Sequence, residues 1–76
     1  MFLASFDLHH PQHEYVHLDA QLRQLKFAQL QPRLWAGDGA FTMTDLKRTL
    51  VRHLQPGDGV AVFDMTVNDY ARHNPR

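Results

Sequence analysis

The sequence predicts an α+β domain in which two helices cover one face of a four-stranded antiparallel sheet. Two observations carry this prediction. Short apolar runs with a two-residue repeat alternate with two longer stretches whose apolar residues recur at three and four. Turn formers, Gly37-Asp38-Gly39 and Pro56-Gly57-Asp58-Gly59, punctuate them. The length of 76 residues allows one domain only, because a chain of this size buries just about 60% of its unfolded surface and cannot divide its core.

Residues 1–8 alternate as a strand, with Phe2, Ala4, Phe6 and Leu8 on one face and Leu3, Ser5 and Asp7 on the other. Pro11 then suits the first turn of a helix, where its missing N–H is not needed. Tyr15, Leu18, Leu22, Leu25 and Ala28 continue it as an apolar stripe of roughly four turns, with His13, His17, Ala20 and Gln24 opposite. Between residues 27 and 41 two short strands are expected, and Pro32 is excluded from a central ladder position. Thr44 is a candidate N-cap for a second helix, which buries Met43, Leu46, Leu50, Val51 and Leu54 and turns Arg48 and Arg52 to water. Residues 60–65 form a last apolar strand, closing a domain at 1–66, and residues 67–76 read as a polar tail.

Strand, helix, strand, strand, helix, strand is the ferredoxin-like, or split βαβ, order. Helices on one face leave the other open, and Ser5, Asp7, Val60, Val62 and Asp64 are expected there. A bare sheet face with valines on it favours association, so a homodimer with Ser5, Val60 and Val62 in its interface is expected. The echo of Leu30-Gln31-Pro32 and Gly37-Asp38-Gly39 in Leu54-Gln55-Pro56 and Gly57-Asp58-Gly59 fits a two-fold plan, but chance recurrence of turn residues accounts for it equally.

Eight Lys or Arg balance eight Asp or Glu, so the chain lacks the strong positive field of a general phosphate binder. Any contact with RNA or DNA must come from a local patch. There is no cysteine, hence no disulfide and no thiolate zinc site. The N-terminal apolar run is too short to span a membrane and lacks the basic flank of a signal peptide, so a cytoplasmic protein without membrane association is expected.

Phe6-Asp7-Leu8, Pro11, Tyr15, Trp35, the stretch 44–54 and the strand 59–65 resemble one group of proteins. It is the superfamily of small CRISPR-associated adaptation nucleases and virulence-associated protein D toxins, with their short SinR-like relatives. The resemblance covers about residues 1 to 66 and implies a ferredoxin-like homodimer. In it, Asp7 faces its symmetry mate across a cleft and can hold a divalent metal. Some members cleave RNA or DNA with that metal, and others are non-catalytic partners. The tail is shorter here than in the larger members, which bears on any strand exchange between protomers.

The residues allow this chemistry independently. Phosphodiester hydrolysis at neutral pH needs a cation to polarise the phosphoryl oxygen, and Mg²⁺ is usually held by one or two carboxylates with retained waters. Asp7, doubled by symmetry, meets that minimum, whereas Asp64 would lie about four residues or ~13 Å away within one subunit. Asp7 could equally cap the turn into the first helix. Arg33, Arg48 and Arg52 could contact phosphate or simply be solvated, and Trp35 could stack on a base or pack inside.

A second motif competes. His13-Glu14-Tyr15-Val16-His17 is a literal H-E-x-x-H, in which two histidines one turn apart bind Zn²⁺ and the Glu acts as general base. Glu14 is the one glutamate of the chain, leaving Asp19, His9 or His10 as third ligand, and 76 residues hardly supply the walls of a peptidase groove. A surface Zn²⁺ or Ni²⁺ site of His10, His13 and His17 is the simpler reading. It belongs with a second functional expectation, an interaction module that binds another protein without catalysis.

Overall fold

The structure, a computed structural model, describes residues 1–10, 15–65 and 69–73. Its elements in chain order are β1 (Phe2–Asp7), α1 (Val16–Gln24), β2 (Ala28–Gln31), β3 (Leu34–Gly37), α2 (Met43–Val51), β4 (Gly59–Asp64) and β5 (Asp69–His73). The strands form one sheet in the order β2-β3-β1-β4-β5, and every neighbouring pair is antiparallel. The α+β class is therefore as expected, but the sheet has five strands instead of four. The additional strand comes from the stretch read as a polar tail, because residues 69–73 hydrogen-bond along β4 with Val62 opposite Ala71. Backbone pairing needs no apolar side chain, so composition gave no sign of it.

Side-chain parity on β1 sets the core. Phe2, Ala4 and Phe6 point to the helices, and the register places Trp35 and Val62 opposite Ala4, and Val60 opposite Phe6. These six join Leu18 and Leu22 of α1, Leu46 and Leu50 of α2, and Phe27 in one buried cluster. Each such side chain contributes roughly 1.5–3 kcal/mol relative to exposure. Phe41 closes one end of the core by edge-on contact with Phe2 at 5.8 Å between centroids. Arg23 lies over the buried Trp35 ring at 5.4 Å, so this indole packs inside and is not offered to a base.

Val60 and Val62 correct the expected open face. They are 3% and 0% exposed, in the core. An apolar run such as 60–65 carries no alternation to fix its parity, and only pairing with β1 reveals that Ala61 and Phe63 face away. The uncovered face comprises Leu3, Ser5 and Asp7 of β1, Leu34 and Ala36 of β3, and Ala61 and Phe63 of β4.

Both helices are shorter or shifted relative to expectation. The first apolar stripe was to run through Ala28, but α1 ends at Gln24 because Lys26 adopts a left-handed φ of 67°. The Lys26 amide donates to the Arg23 carbonyl at 3.0 Å and the Phe27 amide to the Leu22 carbonyl at 2.9 Å, a Schellman stop that frees Ala28 for β2. The expected start at Pro11 lies outside the described residues. The cap of α2 is Thr42, not Thr44: its hydroxyl accepts from the Asp45 amide at 3.1 Å. Thr42 has an acidic residue three positions on, the capping-box spacing, which Thr44 lacks.

Candidate functional site

Topology gathers polar chemistry at one end of the domain. There β1 finishes, β3 and β4 begin, α1 begins, and α2 and β5 end. All the described histidines, His9, His10, His17, His53 and His73, lie at this end, with Arg33, Arg52 and Arg72. The sequence shows the histidine cluster of 9–17; only the fold adds His53 and His73.

The centre of this end is a buried carboxylate. Residues 55–58 form a type II turn, with the Asp58 amide donating to the Gln55 carbonyl at 3.0 Å, Pro56 second, and Gly57 third at φ 91°. A Cβ on Gly57 would meet nothing within 4 Å, so the demand for glycine there is one of backbone conformation and not of space. The turn folds Asp58 inward to 1% exposure. Its carboxylate accepts from the His9 amide at 2.8 Å, the Tyr15 hydroxyl at 2.6 Å and the Gln55 amide at 2.9 Å. One side chain thus ties the loop after β1, the start of α1 and the turn before β4. His10 adds a 2.7 Å contact from its Nε2 to the Pro56 carbonyl.

Burial alone would raise the Asp58 carboxyl, but the Tyr15 hydroxyl, the His9 and Gln55 amides and the nearby His10 outweigh it and hold the group below its ordinary value. The partner shifts the other way. Burial, then the hydrogen bond to Asp58 and its charge, push the Tyr15 phenol up to about 12. With three donors on the carboxylate, this pair is a structural tie and leaves little acceptor capacity for a substrate.

Asp7 is different in kind. Its side chain is 75% exposed, and its Oδ2 lies 2.9 Å from His9 Nε2. It does not cap α1, whose N-cap is Tyr15 without a side-chain hydrogen bond. Asp64 is opposite Phe2 while Asp7 is opposite Gly59, so the two carboxylates stand five positions or about 16 Å apart. Asp7 therefore has His9, and no second carboxylate of β4, as neighbour. Among the described residues no three His, Cys, Asp or Glu groups assemble to hold a metal ion. His13 and Glu14 lie outside the described residues, and His17 is exposed on α1.

Of the other expected contacts, Ser5 lies half-buried on the uncovered face, and Arg48 is exposed along α2. Arg33 is exposed in the turn between β2 and β3, where its carbonyl accepts from the Phe6 amide at 2.9 Å. Arg52 and His17, assigned from sequence to different ligands, line one cleft of about 200 Å³ with Tyr15, Leu18, His53, Leu54 and Gln55. His53 was not anticipated, since nothing local in the sequence brings the end of α2 beside the start of α1. Its Nε2 lies 3.4 Å from Gln21 Oε1, which leaves the other ring nitrogen to its surroundings.

No family model, no curated protein and no solved structure matches this chain. Among the described residues no helix is long and apolar enough to cross a membrane.

Proposed function

We propose that this protein is a ferredoxin-like interaction module that works as a homodimer, a second copy packing on the uncovered sheet face. The carrying observation is that face itself: Leu3, Leu34, Ala36, Ala61 and Phe63 are side by side and only half-buried, because both helices pack on the other side. The element order from β1 to β4, with β1 between β3 and β4, supports the split βαβ plan, with β5 as an added edge strand. A second copy suits the patch because a two-fold interface must be self-complementary, and this face carries both signs of charge. Asp7 stands at the end of β1, and Arg72 stands opposite Ala61 on the outer strand. Five strands about 4.8 Å apart and about five residues at 3.3 Å give a flat footprint of roughly 400 Å². Against the ~800 Å² per partner of a standard interface, that area predicts a reversible, concentration-dependent dimer.

The test is sedimentation equilibrium from low micromolar to near-millimolar concentration, beside Ala61→Glu, which places a charge in the middle of the patch without removing core volume. Association of the parent chain that is lost in the variant supports the reading. A monomer throughout the range rejects it.

A second reading, metal-dependent cleavage of RNA or DNA, is favoured by one observation: Asp7 is exposed at the edge of this same face. Two-fold packing there could bring a pair of Asp7 carboxylates to one Mg²⁺. Labelled RNA and DNA incubated with Mg²⁺, Mn²⁺ or EDTA test it, and cleavage that persists in Asp7→Ala would remove the proposed centre.

A further inference from the structure

The cleft between the start of α1 and the end of α2 lies in the helix layer, away from the sheet face on which the dimer proposal rests. Its lining is chemically one-sided. Arg52 brings a permanent positive charge, His17 and His53 bring imidazoles, and no carboxylate is among the lining residues. The nearest acid known to bear on it, Asp58, is turned away and saturated by Tyr15, His9 and Gln55. In a chain of zero net charge such a lining is a local excess, reinforced by Arg33 at the same end of the domain.

We propose that this cleft binds a phosphoryl group. A volume of about 200 Å³ is below the ~300–1,000 Å³ of sites that enclose a whole drug-sized ligand, so a charged group and not an entire nucleotide is the matching occupant. A phosphoryl group offers three strong acceptor oxygens. They suit donors approaching from separate elements: the Arg52 fork from the end of α2, His53 beyond it, and His17 from the first turn of α1. Gln21 steadies the His53 ring from its Nε2 side. The rest of the ligand would extend into solvent past the exposed His17 and Arg52. The same chemistry is carried by small phosphate monoesters and by nucleic-acid strands.

The test is a titration of the ¹⁵N-labelled full chain with inorganic phosphate and with phenyl phosphate at constant ionic strength, followed at the amides of His17, His53 and Leu54. Saturable shifts at these positions are expected, weakened about tenfold by Arg52→Gln, as loss of a charge-assisted contact implies. Arg48→Gln, one turn earlier on exposed α2 surface, should leave the affinity within a factor of about two. No saturable shift, or equal weakening by the two arginine variants, overturns the proposal. Oligonucleotides with and without a 5′-phosphate separate the sources. Preference for the phosphorylated strand assigns a terminal monoester, and equal binding that still depends on Arg52 assigns the backbone.

Discussion

Asp7 and Asp58 stand at the same end of the sheet, joined by one residue and opposite in every physical respect. His9 donates its backbone amide to Asp58 and sets its ring beside Asp7. Asp58 is 1% exposed and meets three donors, whereas the Asp7 side chain is 75% exposed with one ring nitrogen beside it. A carboxylate that has lost water and gained three hydrogen bonds is committed to the fold. One that keeps its water remains available for a partner, a metal or nothing at all. The comparison teaches that an acid at a strand end is not thereby a site; what counts is how much of its hydration the fold has already replaced.

The comparison breaks most visibly at the buried acid. Asp58→Ala leaves two amides and a hydroxyl without their acceptor and should cost about 3–5 kcal/mol, a large part of the stability of so small a domain, read by urea denaturation. Tyr15→Phe removes one of the three donors and should cost about 2 kcal/mol at neutral pH. It should also change the alkaline limb. The folded phenol lies at about 12 against about 10 in the unfolded chain, so the unfolded state loses its proton first. The Tyr15 contribution is full below pH 10 and disappears as pH rises to about 12, a loss that Tyr15→Phe should not show. Asp58 works in the other direction: its folded value is lowered, so its contribution is full above about pH 4 and is lost as pH falls below that. Acid unfolding of the parent against Asp58→Asn measures it, and a parallel fall in the two chains would contradict the role given to this carboxylate.

At the exposed acid the effects should be small. His9→Ala removes the ring beside Asp7 but keeps the amide to Asp58, and Asp7→Ala removes the other half of the pair. Each should shift thermal stability by no more than about 0.5 kcal/mol. A cost of several kcal/mol from Asp7→Ala would erase the distinction between the two acids.

How much of this was legible depended on which signals are local. The parity of β1 was readable because large apolar residues alternate through Phe2, Ala4 and Phe6, and the buried pair Leu46 and Leu50 because they sit one turn apart. The parity of β4 was not, since five of residues 60–65 are apolar and burial is decided by a partner strand far away in sequence. Asp58 looked like a solvent turn residue, the counterpart of Asp38 in the other Gly-Asp-Gly. The side chain of Asp38 is 83% exposed. The signal that separates them is Pro56-Gly57, which dictates a type II turn and aims the following side chain back at the start of the turn. The cleft at Arg52 and His17 was illegible for another reason: two helix ends converge there that no local pattern connects.

The central place of β1 has a consequence for how the chain reaches this state. Residues 2–7 are made first, yet one of their two flanks is filled only by residues 59–64, after both helices and the β2–β3 hairpin have been laid down. Until β4 arrives, β1 is an open edge with unpaired amides and carbonyls, the surface most prone to recruit a strand from another molecule. Closing so long a loop late makes assembly slow for a domain of this size, and the sensitive moment is the wait for β4.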